Sequence, residues 1–225
     1  METQSRQDGI AILLANRTYL YRLLHNFFGN EPTSEAINIL NSDHTQTALS
    51  LLSVEKGLDS LEDFANQMNM NGEEALDKVR SEFTRLFIGP TKLPAPPWES
   101  VYMTKDRLIF QECTLNVRKC YLKYYFVPVH FRSEADDHLA LELDFMCNLS
   151  VLAETAHQVG DLSKAEEVLK DQRAFLEEHL LAWVPQFAAD LKASTSHPLY
   201  LGMTSMLEEF LLADLVVIGE ILDSF

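Results

Sequence analysis

The sequence predicts an all-helical protein, a single globule of roughly ten helices, and three observations carry that prediction. Apolar residues recur at three-and-four spacing along most of the 225 residues. No strand-like alternation persists for more than a few residues. The composition, 47% hydrophobic and 10% aromatic, belongs to a globular chain that can bury roughly 70% of its unfolded surface without extra staples.

From Ile10, the residues Leu13, Leu14, Leu20, Leu24, Phe27 and Phe28 form one buried face of a first helix that ends at Gly29. Ser34 to Leu40, Gln46 to Val54 and Ser60 to Met70 read as shorter helices. Asn71 with Glu74 three residues on resembles a helix start, and the stripe Ala75, Leu76, Val79, Phe83, Leu86 and Phe87 then runs to Gly89-Pro90. The run from Phe87 to Tyr102 is expected to be the one non-helical segment. It holds four of the eight prolines and one of the two tryptophans, and proline fixes φ, removes a donor and disfavours helix in the residue before it. Leu93 to Trp98 is therefore predicted to be a rigid extended loop. Its indole is either tucked into the core or presented to a partner at little entropic cost.

Ile109 to Phe126 reads as helix, interrupted by Val127 to Arg132 because Pro128 cannot continue it. Residues 127–133 are the candidate hinge between an N-terminal and a C-terminal half of one domain, 1–225. A long amphipathic helix is predicted from Ser133 to Gln158, closed by Gly160. Ser163 to Ala182 follows, kinked or ended before Pro185. Pro198 opens a last helix of about 25 residues that is apolar on nearly all sides, hence central to the core.

Thirty-four acidic against eighteen basic residues give a net charge of −16. Such a chain repels nucleic-acid backbones and anionic membranes and attracts cationic ligands. Its polar opening, Met1 to Gly9, lacks the apolar core of a secretory signal, and Phe210 to Leu222 falls short of the ~20 residues of a membrane span. A cytoplasmic protein is expected. Cys113, Cys120 and Cys147 form no C-x-x-C pair, so neither a disulfide framework nor a zinc knuckle is indicated, and all three read as reduced.

No phosphate-binding glycine loop, nucleophile elbow or zinc-protease helix is present. Glu154 and His157 match a Glu-x-x-His unit, but di-iron bundles need a second copy and two further glutamates, so these two are expected to be an exposed pair. Glu134-Ala135-Asp136-Asp137-His138 concentrates three carboxylates and an imidazole. Ser133 as cap and acids in the first turn explain the segment as helix stabilisation. Alternatively, with Glu142 one turn beyond His138, a cationic ligand would meet Asp137, His138 and Glu142 on one face.

Two segments, Glu82 to Tyr102 with its Leu93-Pro94-Ala95-Pro96-Pro97-Trp98-Glu99-Ser100 core and Glu134 to Phe145, together resemble the TorD/DmsD/NarJ family of redox-enzyme maturation chaperones. The likeness is close over residues 80–150 and looser elsewhere, with a DmsD-like flavour in Ala95 to Trp98. What the resemblance implies is an all-helical cytoplasmic non-enzyme that binds the twin-arginine signal peptide of a molybdenum-containing reductase subunit while its cofactor is loaded. It also implies that Leu93, Pro96, Pro97 and Trp98 form an apolar contact surface with Asp137 and His138 as the polar element beside it. No cofactor is implied beyond weak guanine-nucleotide binding, and the partner state is a monomer or a domain-swapped dimer. The chain departs from the family at Ala135, where proline is common, and at Gln111, where glycine is. A second reading is a helical enzyme, or a nucleotide- or metal-binding protein, using the acidic His138 region.

Overall fold

The structure, a computed structural model, describes residues 2–89, 92–128 and 134–225, of which 2–5 by backbone alone. The order is α1 (Glu2–Gly29), α2 (Ser34–Leu40), α3 (Asp43–Leu51), α4 (Leu58–Phe83) with a π-helical turn (Thr84–Ile88), α5 (Glu99–Met103) and α6 (Glu112–Lys123). Then come α7 (Leu139–Gln158), α8 (Leu162–Phe175) with a second π-helical turn (Leu176–Leu180), α9 (Leu181–Ser194) and α10 (Pro198–Leu222). The fold is all-α. Among the described residues no strand forms, and an isolated antiparallel bridge joins Trp98 to His138.

The stripe predicted for the first helix is the face that packs. Leu14, Leu20 and Leu24 of α1 lie buried against α7, which in turn packs on α8, while α10 packs on α4 and α9. One connected set of buried apolar side chains runs through these elements. α10 is not buried all round: Leu207, Phe210 and Ile218 are inside, but Leu212 and Val216 are exposed, so one apolar stripe faces solvent.

Several boundaries differ from the sequence reading. Asn71 marks a kink inside α4, with φ −145° and ψ 61°, so the two predicted helices around it are halves of one. Helix α6 starts at Glu112 because Arg107 and Phe110 hold left-handed φ values of 50° and 61° that an α-helix does not accept. Helix α7 starts at Leu139, five residues after the acidic segment begins, with His138 as its N-cap: the imidazole Nδ1 accepts from Ala140 N at 3.1 Å. Helix α9 continues through Pro185, since the break falls earlier, at the second π turn. The proline segment is also shorter than expected, bounded by the first π turn and by α5. The hinge placed at 127–133, and Ser133 as a cap, fall largely outside the described residues.

Candidate functional site

The two sequence motifs meet in space because each supplies what the other lacks. Proline-rich backbone has few amides but keeps its carbonyls, and Pro97 O accepts from Leu139 N at 2.9 Å, one of the amides at the start of α7 with no partner in the helix. In return Asp137 serves the start of α5. Its carbonyl accepts from Glu99 N at 3.0 Å and its Oδ2 from Ser100 N at 2.8 Å. Asp136 is held against α6, accepting from Arg118 Nε at 2.5 Å, and its carbonyl accepts from Tyr121 Oη at 2.9 Å.

This arrangement separates residues that the sequence reading grouped. Asp137 and Glu142 are both fully buried. Glu142 accepts from Trp183 Nε1 at 3.1 Å, and burial, with the neighbouring Glu99 carboxylate, pushes its own carboxyl well above the usual range. The acidic segment is thus not one open cation-binding face: Asp137 and Glu142 are fully buried, and of these three residues His138 is the one that lines a pocket. Leu93 and Pro96 are half-buried and Pro97 is buried. Trp98 is half-buried, its Nε1 donating to Glu134 Oε1 at 2.9 Å and its ring edge-on to the His138 imidazole at 5.3 Å.

His138 and Glu134 line a pocket of about 420 Å³. Its floor comes from the end of α1 (Phe28, Gly29), from α4 and the first π turn (Phe83, Phe87, Ile88), and from Leu141. Phe28 and Phe83 meet Phe87 with ring centroids 6.2 and 5.3 Å apart, a preformed aromatic wall. Two carboxylates, Glu134 and Asp144, two imidazoles, His25 and His138, and the Asn30 amide are its polar side chains. Burial holds His138 down to about 4, so at neutral pH it is uncharged; with Nδ1 accepting, its proton is on Nε2. His25 donates from Nδ1 to Ala140 O at 2.9 Å. The pocket therefore offers two carboxylates over an aromatic floor, suited to a cation followed by an apolar side chain.

Sequence reasoning missed His25, Phe28, Asp144 and Ile88 as lining residues. Phe28 belongs to the buried stripe of the first helix and Asp144 to the Glu134 to Phe145 segment, but neither was singled out as lining a site. At the other motif, Glu154 accepts from Thr18 and Gln158, and His157 stacks on Phe225. Both are half-buried with separate partners, not an exposed pair. No group of three metal-ligating side chains occurs among the described residues.

A family model described as "Nitrate reductase delta subunit" matches residues 51–189, which spans the proline loop, the acidic segment and α7. The chain belongs to this family. It is 30% identical over 201 residues to "Chaperone protein TorD" of Aliivibrio salmonicida, covering 88% of this chain and 92% of that one. The corresponding protein of Photobacterium profundum is 29% identical over 197 residues, 86% and 90% covered, and that of Aliivibrio fischeri is 29% identical over 201 residues, 88% and 92% covered. The chain is thus a chaperone of the TorD/NarJ family of redox-enzyme maturation. No helix among the described residues is long and apolar enough to cross a membrane.

Proposed function

We propose that this chaperone binds the twin-arginine signal peptide of a molybdenum-containing reductase subunit in the cytoplasm and holds it until the cofactor is in place. The observation that carries the reading is the pocket that sets Glu134 and Asp144 above the Phe28, Phe83 and Phe87 rings. An arginine donates paired hydrogen bonds to a carboxylate, and its planar fork makes that contact directional. The apolar stretch behind the arginines covers the aromatic floor, where each buried large side chain contributes about 1.5–3 kcal/mol. Trp98, which touches both Glu134 and His138, acts beside the pocket, and the half-buried Leu93 and Pro96 extend the apolar surface along the same loop. Pro97, Asp137 and Glu142 hold the frame. Holding needs no reaction, and no cofactor enters the reading.

Calorimetry with a synthetic twin-arginine peptide tests it. Glu134→Gln keeps an acceptor for Trp98 while removing the charge, and peptide affinity should fall by roughly 1.5–3 kcal/mol, the range for a hydrogen bond to a charged group. Replacing the peptide's arginines by lysines should weaken binding too, since the point charge is kept and the fork is lost. Equal affinity for a scrambled peptide of the same charge would overturn the reading.

A further inference from the structure

Two clefts flank the C-terminal end of α1. His25, Phe28 and Gly29 line the peptide pocket, and Leu23, Asn26 and Phe27 line a second cleft, about 320 Å³, between α1 and α2. The two sets form neighbouring faces of the helix, because each residue turns the side-chain direction by about 100° while steps of three and four return to one face. Asn30, the residue after the helix, lines both clefts, so they meet over the end of α1.

The second cleft repeats the chemistry of the first with different residues. Leu23 and Phe27, both buried, give it an apolar floor, Ile39 leaves an apolar edge 44% exposed, and Glu31 and Glu35 supply two carboxylates. Neither carboxylate has an ion-pair partner among the described residues. Arg80 of α4, which donates to Pro32 O at 3.2 Å, does not line the cleft. Helix α1 carries no basic residue in its last turn, so nothing there offsets the partial negative charge of its C-terminus.

We propose that the α1–α2 cleft is the subsite for one of the two consecutive arginines, the peptide pocket taking the other; the inference rests on the proposed binding of the twin-arginine peptide. Neighbouring side chains of an extended chain point to opposite sides, so a peptide laid across Asn30 presents one arginine to each cleft. The aliphatic stem of the arginine covers Leu23 and Phe27 while its fork reaches Glu31 or Glu35. With a carboxylate pair for each arginine, the protein reads the adjacency of the two cations and not their number alone.

The test is a calorimetric double-mutant cycle on the full chain. Its probes are the synthetic twin-arginine peptide, the two peptides in which one arginine is replaced by glutamine, and a peptide with glycine inserted between the arginines. The double variant Glu31→Gln, Glu35→Gln, changed at two exposed positions, should bind the intact peptide at least about tenfold more weakly, the effect of losing a hydrogen bond to a charged group. In that variant, replacing one particular arginine should cost little more, while replacing the other costs as much as in wild type. Glu134→Gln should give the reverse assignment. The inserted glycine turns both arginines to one side, so it should weaken wild-type binding and have a much smaller effect on the double variant. Glu166→Gln with Glu167→Gln removes the same charge from residues that line neither cleft, and its affinity should stay within about twofold of wild type. Wild-type affinity in the Glu31→Gln, Glu35→Gln variant, or equal losses there for the two arginines, would overturn the subsite; a loss in Glu134→Gln would then leave the peptide pocket standing without it. Equal wild-type affinity for a scrambled peptide of the same charge would overturn both.

Discussion

Asp137 and Glu134 stand three residues apart in one acidic run, yet burial gives them different work. Asp137 is fully buried and supplies the acceptor for Ser100 N. Asp137→Ala should cost about 1–3 kcal/mol in urea unfolding, the penalty for orphaning a buried donor, with peptide affinity of the folded protein nearly unchanged. Histidines divide in the same way. His179 is held up to about 9 from a usual 6.5, so its contribution to stability is complete below pH 6.5 and is lost as pH rises toward 9. Glu142, pushed upward, acts in the same direction, because its charge must be formed inside the protein at higher pH. Thermal unfolding between pH 6.5 and 9 should show a falling midpoint, and His179→Gln should flatten the fall. None of this division was legible in the sequence, where the acids look alike; desolvation depends on neighbours from α5, α6 and α9 that the run itself does not specify.

At the scale of elements, periodicity located the helices and misplaced several of their ends. The Asn71 and Glu74 pair, a start signal by type and spacing, lies at a kink because α4 gains more from continuing its buried face on both sides than from stopping. The start of α7 escaped notice since its cap is an imidazole, outside the usual Ser, Thr, Asp and Asn set; His197 caps α10 in the same way. Where α4 crosses α10, contact needs two glycines. Gly57 holds a left-handed φ of 85°, and a methyl on Gly202 would lie 2.6 Å from two carbons of Leu61. Gly202→Ala should therefore destabilise by about 1–3 kcal/mol through overpacking. Gly72→Ala, with nothing within 4 Å, should leave stability unchanged or raise it by up to about 1 kcal/mol. Denaturant titration of the two variants separates close approach from mere glycine content.

For the whole molecule, the N- and C-terminal helices are joined by one buried charge network. Arg17 donates to both oxygens of Asp214, at 2.5 and 3.1 Å, and to Gln172 at 2.7 Å, while Tyr21 Oη adds a bond to Asp214 at 2.6 Å. Asp214→Asn strands the guanidinium and should cost roughly 3–5 kcal/mol, read as a shift in the unfolding midpoint. The sequence by itself determined the helical class, the order of most helices, the rigidity of the proline loop and the two motifs of the family, because each is written in local spacing and residue type. Only the tertiary structure decided that Glu134, His138, Asp144 and the α1 and α4 aromatics line one pocket, that Asp137 and Glu142 belong to the interior, and that His179 pairs with Glu99. Those facts follow from which distant surfaces exclude water together, and that exclusion is a property of the packed chain and of no segment alone.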